Sequence, residues 1–291
     1  MSGIILNETQ FIDPVTAYIF LGVLSLAVGS LLNVVIHRLP LMLQKEWRID
    51  CRQLLDLPEI PEKSINLFFP RSFCPQCNQT VRAWQNIPLI SYLLLRGRCH
   101  HCKQSISLRY PFVEALSMGL SLAAAYCFGF NLTLLFVCLF IWLVIALCFI
   151  DLQHQILPDG LSLSLLWLGL IANTQALFTS LPNAVFATVG AYLGLWLFIK
   201  LFYLLTGKIG MGHGDFKLFA AFGAWFGWTQ LPLILISASL SGAVVGAIYL
   251  KSTAQSHKTP IPFGPFLCIA SLLALFYGNK IWDWYVFYLT S

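Results

Sequence analysis

Six residues carry most of the chemistry open to this sequence: the cysteines Cys74, Cys77, Cys99 and Cys102, and the aspartates Asp151 and Asp215. Cys74-Pro-Gln-Cys77 is followed after 21 residues by Cys99-His-His-Cys102. Two intervening residues let each pair of sulfurs converge from one tight turn, and two such pairs at this separation supply the four thiolates of a structural zinc ribbon. Two disulfides are the competing reading, which a reducing cytoplasm disfavours. His100 and His101 can replace a thiolate as ligand, but with both pairs complete they read as groups around the site. Cys51, Cys127, Cys138, Cys148 and Cys268 show no ligand spacing; the last four fall in apolar runs and read as small packing residues.

The 12 acidic residues can be weighed one by one. Most lie near the termini or in the basic segment at 38–111. Glu114, Asp151, Asp159 and Asp215 instead sit in or beside apolar runs, where a carboxylate is costly and asks for a use. Asp151 closes the uncharged run at 132–150, and Asp215 follows the glycine-rich turn in GMGHGDFK. Their separation of 64 residues matches two helices, out across a membrane and back, so both should lie at one depth. Two carboxylates meeting there cannot both ionise cheaply and share a proton. One then acts as base toward water and the other as acid toward a scissile carbonyl, the constellation of an aspartic protease. Gly212 and Gly214 let the backbone approach an extended peptide, and Lys217 belongs to the same active-site turn. Blander readings stand beside these. Asp215 can be a helix N-cap, Asp159 reads first as a cap, and Glu114 can serve Arg109 or the helix dipole. His154 and His213 read as local hydrogen-bonding groups.

What must position these groups is a set of membrane helices. The chain is 58% hydrophobic and 10% charged, and apolar runs of about 20 residues recur, as an all-α polytopic membrane protein requires. Eight spans are expected: 15–36, 112–130, 132–150, 161–178, 184–205, 218–226 with its flanks, 231–250 and 265–282. No Lys or Arg precedes Arg38, so the N-terminal stretch lacks the basic region of a cleavable signal. Of the 17 Lys and Arg, 11 fall between Arg38 and Arg109, which marks that loop as cytoplasmic. Both aspartates then face the cytoplasm and both termini lie outside, with Lys280 on the unexpected side. Three domains follow: 1–37, an external N-terminus and first transmembrane helix; 38–111, a cytoplasmic zinc-binding loop; and 112–291, a transmembrane aspartyl peptidase bundle. The net charge of +5 belongs to the one loop and reads as a topology signal. The expected partner is the lipid bilayer, with no nucleic acid.

Seven segments together resemble one family. They are GSLLNVVIHRLP at 29–40, FCPQC at 73–77, NIPLISYLLLRGRCHHC at 86–102, RYPFVE at 109–114, FIDLQHQILPD at 149–159, GMGHGDFK at 210–217 and IPFGPFL at 261–267. The resemblance is to the type IV prepilin leader peptidases, bifunctional enzymes of the bacterial inner membrane, and it covers nearly the whole chain. It implies that Asp151 and Asp215 are the catalytic pair, within the G-x-G-D core Gly212-His213-Gly214-Asp215, and that the four cysteines hold zinc. It also implies prepilin and pseudopilin precursors as substrates, cut after a glycine at the cytoplasmic membrane edge. The new N-terminal amine is then methylated from S-adenosylmethionine. Two other classes compete. A proton-coupled transporter explains the carboxylates but not the cysteines; a structural component of a pilus or secretion apparatus leaves the glycine-flanked aspartate without a role.

Overall fold

The computed structural model describes residues 13–58, 66–69, 71–74, 76–208, 211–253 and 262–290. Outside them lie most of the expected external N-terminus, Glu59, Glu62 and Lys63 of the loop, Pro75 of the first knuckle, Gly210 of the glycine-rich turn, and Lys258 and Ile261 of the last connection. Among the described residues eight α-helices follow in order: α1 Pro14–Leu54, α2 Ile90–Leu94, α3 Arg109–Phe128, α4 Leu132–His154, α5 Asp159–Thr174, α6 Leu181–Thr206, α7 His213–Thr253 and α8 Gly264–Thr290. The described β pairing is limited to two isolated bridges.

The chain is an all-α, multi-pass membrane protein, and α1, α3, α4, α6, α7 and α8 are each long and apolar enough to cross a bilayer. The expected eight spans are not all borne out: the segment at 161–178 is helical only to Thr174, in an α5 of 16 residues that is shorter than a bilayer crossing requires, and two further differences appear. The segments at 218–226 and 231–250 are two arms of α7, joined across Gly227, whose φ of 65° and ψ of −165° are not helical. And α1 does not end with its apolar run near residue 36 but continues through Pro40 to Leu54, a helix of 41 residues. Lys, Glu, Arg and Gln end the lipid-compatible stretch without ending the helix, because all four are good helix formers.

Two compact units divide the chain: Met1–Asn33 with Arg71–Leu134, and Val34–Pro70 with Leu135–Ser291. In the first, α1 lies close against α3 along a row of small residues. A Cβ on Gly29 would sit 2.8 Å from Glu114 Cα, Ser117 Oγ donates to Ser25 O at 2.9 Å, and Asn33 Nδ2 donates to Tyr110 O at 3.0 Å. Close backbone approach through small residues is how helices associate where lipid removes the hydrophobic drive.

In the second unit, α7 packs on α5, α6 and α8. It also meets α4, where the Phe140 ring lies 4.8 Å from Trp225 and 5.4 Å from Phe226. The break at Gly227 frees backbone carbonyls on its N-terminal side, and in lipid these must find donors. Buried Asn173 supplies them: its Nδ2 donates to Ala224 O at 2.8 Å and Trp225 O at 3.0 Å. Its Oδ1 accepts from the Phe178 and Thr179 N–H groups. Asn173→Leu, similar in size but unable to do either, should cost about 1–3 kcal/mol. Titrating purified protein in mild detergent with a denaturing one will read that loss, and an unchanged unfolding midpoint would remove Asn173 from this role.

Candidate active site and metal centre

The last turn of α4 carries Asp151 and the first turn of α7 carries Asp215, as the apolar run and the glycine-rich turn lead one to expect. Both are buried, at 5% and 8% exposure, and they are near enough to interact directly through their charges. The left-handed Gln155, at φ 53°, follows the end of α4, and the chain then turns through Leu157 and Pro158 into α5. Leu157 fills the space between the two approaching helix starts. A Cβ on Gly214 would lie 2.9 Å from Leu157 Cβ, and one on Gly264 3.4 Å from Leu157 Cδ1. Gly214 is therefore held small by packing. Gly212 precedes α7, and its carbonyl accepts the Asp215 N–H at 3.2 Å, which sets Asp215 in the first turn of the helix. Asp151 Oδ2 is buried with no hydrogen-bond partner among the described residues.

The neighbouring groups take different parts from those expected. Asp159 makes no side-chain cap on α5; it holds Lys217 Nζ through both oxygens, each at 2.7 Å. That pair ties the first residue of α5 to the first turn of α7. Buried Glu114 accepts the Leu89 N–H at 2.9 Å and so fastens the loop at the start of α2 to α3; Arg109 is not its partner in that bond. His213 is exposed and its ring meets Phe216 edge-on at 5.5 Å. His154 lies half-buried in the last turn of α4. Residue spacing carries no signal for the Asp159–Lys217 and Glu114–Leu89 pairs, because each joins positions distant in sequence.

The second centre is built from two equivalent turns. The Cys74 N–H donates to Gln79 O and the Asn78 N–H to Cys74 O; the Cys99 N–H donates to Gln104 O and the Lys103 N–H to Cys99 O. Isolated bridges Phe73–Thr80 and Arg98–Ser105 close the two turns. Asn78 and Lys103 occupy matching left-handed positions, at φ 55° and 58°. The four sulfurs all lie within 4.8 Å of one another, with Cys74 and Cys102 3.8 Å apart. Tetrahedral zinc with arms of about 2.3 Å sets its sulfurs about 3.8 Å apart, so the set fits that ion. Backbone N–H groups of Cys102 and His101 pull the Cys99 thiol down to about 7, while desolvation and the facing thiols push that of Cys102 up to about 11. His100 is not one of the four ligating positions; its ring meets Trp84 edge-on at 5.7 Å. None of the nine cysteines is in a disulfide. Cys138 and Cys268 are buried as packing residues should be, whereas Cys127 is exposed on α3.

The chain is similar to known proteins along nearly all of its length. Residues 23–128 match the bacterial peptidase A24 N-terminal domain and residues 138–247 match the type IV leader peptidase family. A Legionella pneumophila protein described as a prepilin leader peptidase/N-methyltransferase is 57% identical, with 99% of each chain covered. Proteins of the same description from Pseudomonas aeruginosa and Aeromonas hydrophila are 50% and 49% identical. They align over 89% of this chain and 89% of the relative, and over 90% and 91%, respectively. No solved structure matches the chain.

Proposed function

The chain belongs to the type IV leader peptidase family, and from that premise we propose that it cleaves prepilin and pseudopilin leaders with Asp151 and Asp215 and then methylates the new N-terminus. It is an enzyme, a prepilin leader peptidase/N-methyltransferase by its relatives. One observation carries the assignment of residues: two buried carboxylates from separate helices meet where α4 ends and α7 begins. In the peptidase step one carboxylate takes a proton from water, whose oxygen attacks the scissile carbonyl. The other gives its proton to the carbonyl oxygen, and the amine departs with a proton as the tetrahedral intermediate collapses. Lys217, held by Asp159, fixes the first turn of α7 and with it Asp215. Gly212 and Gly214 complete the turn that faces the peptide.

The methyl group comes from S-adenosylmethionine when that donor is bound, and the zinc-bearing segment is the proposed seat of the transfer. The cysteines and the aspartates belong to different compact units, which supports a division of labour. Zinc at Cys74, Cys77, Cys99 and Cys102 holds that segment folded. Incubating the purified protein in detergent with a prepilin tests the whole reading: mass spectrometry should show a shortened product, and a further methyl group when the donor is added. An uncut substrate would sink it.

In the proposed orientation the active site faces the cytoplasm across a bacterial inner membrane. The 11 Lys and Arg between Arg38 and Arg109 support it. A reporter fused within residues 41–70 should behave as cytoplasmic and one at the C-terminus as external. The reverse pattern would place the dyad on the wrong face for a leader that emerges into the cytoplasm.

A further inference from the structure

Asp151 has a neighbour that the catalytic reading leaves unused. Gly264 opens α8, 113 positions further along the chain. A Cβ built on it would lie 2.5 Å from Asp151 Oδ2 and 3.1 Å from Asp151 Cγ, well inside van der Waals contact. The Gly264 backbone lies beside the same carboxylate. In this turn Pro265 has no N–H, and those of Phe266 and Leu267 bond to Phe263 O. The first turn of a helix also presents the positive end of its dipole. The start of α8 thus packs directly against Asp151 Oδ2, a buried oxygen with no hydrogen-bond partner among the described residues.

We propose that Gly264 is the positioning residue for Asp151: its missing side chain lets the start of α8 lie against the carboxylate, fix its orientation and leave one oxygen for water. The proposal rests on the dyad reading. Aspartate has a single methylene, so a methyl group at position 264 can be accommodated chiefly by turning the carboxylate away from this place. The chain would remain folded and the reacting oxygen would move.

The test compares Gly264→Ala with Gly160→Ala, whose added Cβ meets nothing within 4 Å, in the purified full-length protein with a prepilin as substrate. A displacement of about 1 Å at a catalytic group costs on the order of 100-fold. Gly264→Ala should therefore lose about that factor in kcat for cleavage, with KM, Tm and methylation of an already cleaved peptide close to those of the parent. Gly160→Ala should leave all four unchanged. A near-parental kcat in Gly264→Ala, alongside an inactive Asp151→Asn, overturns the proposal and leaves the dyad standing; so does a loss that appears wholly in KM. An active Asp151→Asn removes the dyad reading and the proposal together. Should Gly264→Ala fail to fold, the double variant Asp151→Ala/Gly264→Ala, in which the opposing carboxylate is gone, should recover the parental Tm. A double variant as unstable as the single one overturns the proposal.

Discussion

Asp151→Asn and Asp215→Asn should each lower the rate of prepilin cleavage by about 10²- to 10⁴-fold, the range that a positioned acid or base contributes. Asparagine keeps the size and polarity of aspartate but can neither take the proton from water nor supply one to the carbonyl oxygen. Both side chains are buried at helix ends, and an amide there loses no more solvation than a carboxylate does, so both variants should remain folded. Asp215→Asn keeps the backbone bond from its N–H to Gly212 O, which preserves the start of α7. Removing both carboxylates should be little worse than removing one, because residues that act as a unit are not additive. Methylation of a substrate supplied already cleaved should persist in all three variants, since moving a methyl group from a sulfonium to an amine requires no activated water. Near-normal cleavage by either single variant would falsify the shared role. Loss of methylation in a folded variant would show instead that the two activities use the same groups.

The two aspartates stood out as a candidate pair because an acid beside an apolar run is costly, and a glycine-rich turn marks one of them; the structure buries both at neighbouring helix ends. The cysteine centre was legible because a C-x-x-C turn is local: its sulfurs, its left-handed residues Asn78 and Lys103 and its closing bridges all fall within a few positions. Other features have no such local signature. Gly227 does interrupt the helix, as the two expected segments imply, but the arms of α7 stay joined there because Asn173 from α5 satisfies the carbonyls freed by the break. Nothing around position 173 announces that task. The expectation that Asp159 caps α5 followed from its place after Pro158, but Lys217 is a charged partner and a cap bond is not, so the ion pair forms in its stead. Gly264 stood out only as part of a family-like segment; that it touches Asp151 follows from α8 returning to the end of α4, which requires the whole bundle. Pairs that fold brings together from distant positions are invisible to spacing, however clear each residue is alone.

Withdrawing the metal should have the largest effect on structure. Replacing any one of Cys74, Cys77, Cys99 and Cys102 by Ser, or treating the protein with a strong chelator, should take zinc from about one ion per chain to near none. Structural zinc contributes on the order of 10 kcal/mol in small domains, which is more than a segment of this size can recover from packing. The segment has little else to hold it: between the two knuckles the regular structure is one turn of 3₁₀ helix at Ala83–Asn86 and the five-residue α2. Leu93 and Leu94 of α2 are exposed, so that helix has no core of its own. Loss of a ligand should therefore disorder the segment rather than adjust it. Trypsin reads this directly, because Arg82, Arg96, Arg98 and Lys103 lie within or beside the knuckles. These bonds should resist digestion in the metal-bound protein and be cut rapidly in the serine variants, while α4 to α8 stay intact. Metal retention should also weaken as pH falls, because protons compete with zinc for the thiolates. Unchanged zinc content in all four single variants would dismiss the centre. Lost zinc with unchanged resistance to trypsin would mean that Glu114, through its bond to Leu89, and the contacts of α2 hold the segment without the ion.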